Sequence, residues 1–389
     1  MKVGIFTFHF AKNYGAMLQA YALCTAVSEL GHDCEVVDYR YPWMYRGEGR
    51  ILLREHYALH RMRDNRIVSA LKAFRRWGLG LLRRETRQAA LYHEFFDNHL
   101  NLSRRVRDWD LPNLEYGALI CGSDQVWNAR ITGRLAAPYF LVGMNYGLQG
   151  MHGRRIAYAV SSGKGTFRPE DEEPAARWIS MFDAVGVRER KLAETVERLV
   201  PGSKPSVVLD PTFLLAPDHW RRIARKPDVR VPDKYLLLYV VEETRQSAWI
   251  YEKAREVAAE KDLGIVKVVR PCDDNSGMPH IMNVVEIEDC GPLEFLWLFG
   301  NAEAVFAGSF HATVFSILFS RDFWCIPHPT DRERTDSLLS EFGLSERTLE
   351  QTLSPLEAHH IDWADVQARL DARKSESLRF LKTALEVGK

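Results

Sequence analysis

The sequence has no run of apolar residues long enough to cross a bilayer, since its most apolar windows, 236–241 and 304–319, are too short or too polar. No secretion signal is expected at its start, where residues 1–6 lead into a segment broken by His9 and Lys12, without a cleavage pattern. Six cysteines (Cys24, Cys34, Cys121, Cys272, Cys290 and Cys325) form no CxxC pair and no Cys/His cluster at metal-ligand spacing. Neither a disulfide scaffold nor a structural zinc site is therefore expected, and no metal site of any kind. Internal repeats and low-complexity tracts are missing too. So is net charge: 52 basic and 52 acidic residues cancel, which argues against a dedicated nucleic-acid binder. What remains is a globular chain expected in the cytoplasm, whose 389 residues, 46% of them hydrophobic, suffice for two cores.

Strand and helix patterns alternate along it. Apolar β-rich runs occur at 2–8, 34–38, 118–121, 156–160, 184–187 and 207–209, then at 235–241, 265–269, 284–287, 304–307 and 323–326. In the first intervening helix, Met17, Tyr21, Cys24, Val27 and Leu30 recur every three or four residues, and Gly31 ends it. This order predicts two Rossmann-like parallel α/β sheets with a cleft between them. Asp210-Pro211 to Pro217 marks the boundary. The domains expected are 1–214, 215–362, and a terminal amphipathic helix in 363–389 that packs back on the first domain.

One segment breaks the charge balance. Between Arg46 and Arg107 stand 15 basic residues against six acids. There Ile67, Leu71, Phe74 and Leu81 share a helical face, with Trp77 on its flank and Lys72, Arg76 and Arg83 roughly opposite. Two alternatives fit: a basic amphipathic helix on an anionic membrane surface, or a solvated insertion packed by its apolar stripe.

Ligands in doubly wound sheets collect beyond the carboxyl ends of strands. Nearly every predicted strand here ends in a polar or glycine-containing cluster. The first leads to His9 and Asn13-Tyr14-Gly15-Ala16-Met17-Leu18-Gln19, and the third to Gly122-Ser123-Asp124-Gln125-Val126-Trp127-Asn128. Others are Ser161-Ser162-Gly163, Arg188-Glu189-Arg190 and Asp210-Pro211-Thr212. In the second half come Gly308-Ser309-Phe310-His311 and Pro327-His328-Pro329, then Arg332 and Arg334. A scaffold that positions so many loops points to an enzyme, and its Arg and His content to an anionic substrate.

Taken in order, Asn13-Tyr14-Gly15-Ala16, Gly122 to Asn128, Tyr158 to Gly163, Val187-Arg188-Glu189, Asp210-Pro211-Thr212 and Ser309-Phe310-His311 resemble the polysaccharide pyruvyl transferase family across roughly residues 2–340. The resemblance implies a GT-B-like arrangement. It also implies transfer of the pyruvyl group of phosphoenolpyruvate to two sugar hydroxyls, giving a pyruvate ketal and phosphate during surface polysaccharide synthesis. Phosphoenolpyruvate is then a co-substrate, and neither a cofactor nor a divalent cation is implied. By the same resemblance Arg188 and His311 bind the donor; the chemistry required then suits His311 to assist departure of phosphate and Asp124 to orient or deprotonate the hydroxyl. Asn13, Tyr14, Gly15, Gln19, Ser123, Trp127, Asn128, Ser161 and Gly163 fall to the acceptor or its loops.

The sequence departs from the family where many members carry Arg-Leu-His: here Ser309 stands in the Arg position, and Arg334, or less favourably Arg332, is expected to supply the cation. A sugar or lipid-linked oligosaccharide acceptor would place the protein at the inner face of the plasma membrane, with the basic segment 46–107 against anionic lipid. Two other classes fit the scaffold: a GT-B glycosyltransferase using a nucleotide sugar, and a catalytically silent carbohydrate-binding relative.

Overall fold

The computed structural model describes residues 1–41, 87–143, 153–241, 248–269, 284–326 and 332–386. Six strands form the first sheet: β1 (Lys2–Phe6), β2 (Asp33–Val36), β3 (Ala118–Cys121), β4 (Arg154–Val160), β5 (Ala184–Val187) and β6 (Ser206–Val207). Their spatial order is β2-β1-β3-β4-β5-β6. Five strands form the second: β7 (Tyr235–Tyr239), β8 (Gly264–Val268), β9 (Val284–Ile287), β10 (Ala304–Ala307) and β11 (Asp322–Cys325), in the order β11-β10-β7-β8-β9. Pairing is parallel throughout both.

The sequence dictates this directly. A strand covered on both faces needs apolar side chains at every position rather than at alternate ones. Ala118-Leu119-Ile120-Cys121, Tyr235 to Tyr239 and Ala304 to Ala307 are buried at each residue. All eleven predicted strands form, with ends that move by at most two residues. The first stops at Phe6 because Thr7 and His9 turn to side-chain bonding: Thr7 Oγ1 donates to Ser123 O at 3.1 Å, and His9 Nε2 lies 3.1 Å from Asp38 Oδ1.

Six helices matter for the placement of polar residues at the strand ends: α1 (Tyr14–Glu29), α2 (Arg87–His99), α3 (Pro292–Asn301), α4 (Phe310–Leu318), α5 (Glu333–Glu341) and α6 (Trp363–Leu385). The extended Asn13 caps α1 by accepting from Ala16 N at 3.1 Å. Twelve of the sixteen α1 residues are buried, because the helix lies between the first sheet and α3. Tyr14 stacks on Phe295 with centroids 4.4 Å apart, and its hydroxyl donates to Cys290 O at 3.0 Å. Alongside, Arg225 donates to both Glu94 carboxylate oxygens, at 2.6 and 2.9 Å, and to Glu294. One apolar cluster runs from Val3 and Ile5 through Tyr14 to Leu237 and Phe299, so the base of the cleft is a packed core shared by both sheets.

The amphipathic face predicted at Ile67 to Leu81 lies outside the described residues. Of the same basic segment, 87–107 is described: Tyr92 and Phe95 are buried in the shared core, and Leu102 and Val106 bridge to Val36 and Tyr39. No described helix is long and apolar enough to cross a membrane.

The last helix returns to the first sheet. Ser377 Oγ accepts from Leu209 N at 2.9 Å, Arg373 Nη2 donates to Val207 O at 2.9 Å, and Phe380 packs 6.2 Å from Tyr158. Ser377 is fully buried, so Ser377→Val leaves the Leu209 N–H without an acceptor, an expected loss of about 1–3 kcal/mol. A denaturation midpoint equal to that of the wild type would show that α6 is not held at this point.

Candidate active site

In each sheet the order of strands reverses direction once, between β1 and β3 in the first and between β10 and β7 in the second. These switch points are where loops diverge and leave room for a ligand. The loops after β3, β5 and β6 converge there with the start of α4 from the other sheet.

Asp210 sits at the centre, fully enclosed. Its Oδ1 accepts from Thr212 N at 3.1 Å and from Thr212 Oγ1 at 2.7 Å. Its Oδ2 accepts from Arg188 Nη1 at 2.9 Å and from Ser123 Oγ at 3.3 Å, and His311 Nε2 stands 3.5 Å away. Burial alone would raise this carboxyl; His311, Arg188 and Thr212 outweigh it and hold the group well below the usual carboxylate range. Asp210 is thus an ionised carboxylate at neutral pH, ordering residues from both halves of the protein.

Arg188 is 6% exposed and held on three sides. Its Nε lies 3.4 Å from Glu189 Oε1, Nη1 is taken by Asp210, and its guanidinium lies over the Phe310 ring at 4.2 Å. Nη2 is buried yet makes no hydrogen bond among the described residues; Asp124 Oδ1 is 3.7 Å away. Burial works against the Arg188 charge, and the carboxylates of Glu189, Asp210 and Asp124 reverse that and stabilise it. Arg334 enters from α5, its guanidinium 5.7 Å from the centre of the same Phe310 ring. With its amide oxygen turned toward α5, Gln125 accepts from Arg334 Nη1 and Nη2 at 3.1 and 3.2 Å.

His311 occupies the first turn of α4, where Ser309 caps the helix by accepting from Ala312 N at 3.1 Å. The ring rests on the backbone of Gly15: a Cβ there would meet His311 Nδ1 at 2.0 Å. Only glycine permits this approach between the two halves. Behind the site Gln19 acts as a brace, donating to Thr7 Oγ1 at 2.8 Å and accepting from Ser123 N at 3.1 Å. Asp124 is held at φ +74° by the bridge of its backbone to Val160, and Ser161 N donates to its carbonyl at 2.9 Å. A non-glycine residue kept in that region marks a loop shaped by its surroundings.

The structure therefore gathers Gly15, Gln19, Ser123, Asp124, Ser161, Arg188, His311 and Arg334 around Asp210. Gly163 adjoins them: its N donates to Ser161 Oγ at 3.0 Å, and a Cβ there would meet Asn128 Nδ2 at 2.5 Å. Other candidates are employed elsewhere. Trp127 is 1% exposed, stacked on Phe140 at 4.9 Å with its Nε1 donating to Tyr139 O, so neither face is open to a sugar. Asn128 caps the turn that begins at Ala129, Tyr14 joins the sheets, and the exposed Asn13 caps α1. The Ser309 hydroxyl is a cap, and Arg332 pairs with Asp336 at 3.5 Å on the surface. Pro327-His328-Pro329 lies outside the described residues.

Asp210, Glu189 and Phe310 are not among the residues to which the sequence assigns a role. The one signal for them is position: Asp210 and Glu189 both follow strands in the quoted motifs, and Phe310 adjoins His311. Among the described residues no group of three or more His, Cys, Asp or Glu side chains could hold a metal ion.

The chain is similar to several known proteins. A family model described as Polysaccharide pyruvyl transferase matches residues 13–329. No curated protein matches the sequence. Among solved structures, the chain is similar to a UDP-GlcNAc 2-epimerase from Methanocaldococcus jannaschii, at 12% identity and TM-score 0.48 over 95% of this chain and 92% of that one. It is also similar to the Neisseria meningitidis UDP-GlcNAc 2-epimerase bound to UDP-GlcNAc, at 10% identity and TM-score 0.47 over 99% and 94%. A third is the E. coli heptosyltransferase WaaC with ADP, at 17% identity and TM-score 0.36 over 86% and 89%.

The bonding of Asp210 makes a pH prediction. Its carboxyl is depressed in the folded state, so its contribution to stability is full above the unfolded value of about 3.9 and is lost progressively as pH falls from there toward the much lower folded value. Asp210→Asn should lower stability by about 3 kcal/mol or more at pH 7, as breaking a buried charge pair does. That deficit should shrink below about pH 4. Thermal melts of both proteins at pH 7, 5 and 3.5 check this; a deficit independent of pH would contradict an ionised Asp210.

Proposed function

We propose that this chain, which belongs to the polysaccharide pyruvyl transferase family, transfers the pyruvyl group of phosphoenolpyruvate to two hydroxyls of a sugar and releases phosphate. The observation that carries this is the unsatisfied Nη2 of the buried Arg188, 3.7 Å from Asp124 Oδ1, with His311 3.5 Å from the same Asp210 oxygen that takes Nη1. A buried guanidinium with one idle donor edge suits a phosphate or carboxylate, and phosphoenolpyruvate offers both. Arg334, beside the same Phe310 ring, supplies a second cation to an anion bound at Arg188. That arrangement suits a chain with Ser309 at the helix cap.

The chemistry then runs in two steps. One sugar hydroxyl adds through oxygen to C2 of phosphoenolpyruvate while C3 takes a proton and becomes methyl. The C2–O bond to phosphate then breaks, and a second hydroxyl closes the ketal. Two hydroxyl protons leave, one proton is gained at C3 and one by the departing phosphate, so the sum is balanced. Asp124, with its carboxylate partly open, is suited to orient or accept from the attacking hydroxyl. His311, aligned by Asp210 and standing at the amino end of α4, is suited to hydrogen-bond or protonate the phosphate. An acceptor carried on a lipid diphosphate would meet the basic segment 46–107, close to an anionic membrane surface.

Phosphate release and product mass are the direct tests, with phosphoenolpyruvate and a panel of sugar acceptors. Arg188→Ala and His311→Ala should each lower kcat/KM by roughly a hundredfold or more. Wild-type rates from either would overturn these roles. Tight binding of a nucleoside diphosphate with no response to phosphoenolpyruvate would instead favour a glycosyltransferase. Gly15→Ala should displace the His311 ring and cost about tenfold or more in kcat. Unchanged turnover would mean that the Gly15–His311 contact is not part of the working geometry.

A further inference from the structure

Six ionisable groups crowd the site. Asp124, Glu189 and Asp210 are acidic; Arg188, Arg334 and His311 are basic. Three carboxylates face two guanidiniums, so the charges around His311 sum to one excess negative. That is the wrong sign for a site that receives a phosphate, and in an enclosed volume the mismatch is poorly screened. A proton is the smallest counter-charge available.

Which group takes it depends on hydrogen bonding. Asp210 accepts four hydrogen bonds and has His311 beside it, so its ionised form is held. Asp124 keeps part of its side chain in solvent, and its Oδ1 accepts from Gln125 N at 2.8 Å. Glu189 has neither advantage. Its side chain is 1% exposed, its Oε1 has a long 3.4 Å contact with Arg188 Nε, and Oε2 has no hydrogen-bond partner among the described residues. Burial pushes its carboxyl up, and Arg188, Ser161 and Arg334 pull against that. An anion on Arg188 Nη2 draws the guanidinium charge toward itself, and Glu189 loses its main counter-charge.

We infer that Glu189 takes up a proton when the Arg188 site fills, so that anion and proton bind as a pair. Glu189 thus serves as a charge-compensating residue behind the donor, not as one that touches it. This rests on the donor-anion site of the proposed function and adds its proton stoichiometry.

Sulfate is a suitable probe because it does not titrate near neutrality. Calorimetric titration of the full chain with sulfate, at pH 7 in two buffers of different ionisation enthalpy, should report about one proton taken up per anion. Sulfate affinity should fall as pH rises from 6.5 to 8.5, approaching about tenfold per pH unit. In Glu189→Gln the uptake should vanish and the affinity become flat with pH, while His311→Gln keeps both. Wild-type binding without proton uptake overturns the inference, whatever the fate of the variants. So does uptake that survives in Glu189→Gln and disappears in His311→Gln. If neither sulfate nor phosphoenolpyruvate binds the wild-type chain, the donor site itself falls, and this inference with it.

Discussion

One buried carboxylate organises the site. Asp210 has no access to water, and an ion in that position persists only if fixed donors replace its hydration. The donors come from separate places in the chain: Thr212 next door, Ser123 from the loop after β3, and Arg188 from the end of β5. His311 comes from the other half of the protein. The same carboxylate that needs these groups also aims them. Arg188 gives Nη1 to it and leaves the buried Nη2 beside Asp124, and His311 is oriented by standing between Asp210 and Gly15. Positioning by a shared ionic centre explains how loops from two sheets agree on one geometry.

Phe310 completes the arrangement from the opposite direction. Its ring lies within reach of both guanidiniums, 4.2 Å from Arg188 and 5.7 Å from Arg334, so two like charges share one electron-rich neighbour. The cavity left beside it, lined by Arg188, Asp210, Phe310 and Arg334, is about 10 Å³, the room of a single water.

The fold was legible because parallel strands buried on both faces leave an unbroken apolar signature. Ala118 to Cys121 and Ala304 to Ala307 have no other plausible reading, and a strand end can err only by the residue or two where polarity resumes. The site was legible in part. Arg188, His311 and Asp124 are polar residues at strand or helix ends, where a doubly wound sheet puts its ligands. Asp210 was obscured by Pro211, since an Asp-Pro pair reads as a turn, and a turn is what it also makes. Trp127 misled for the converse reason: an aromatic beside polar loop residues resembles a sugar platform, while its burial against Phe140 depends on Tyr139 and Phe140 a dozen residues later. Composition cannot show which side of a loop faces the core.

The return of α6 to the first sheet fixes how the chain is threaded. The polypeptide leaves the first sheet after β6 and enters the second at β7; it leaves the second after β11 and comes back at α6. Two covalent crossings, rather than one, join the halves. Bodies connected at two points bend about the line through them but do not swivel freely. The two halves are thereby limited to bending about one principal axis rather than rotating past one another, which preserves the approach of His311 to Gly15.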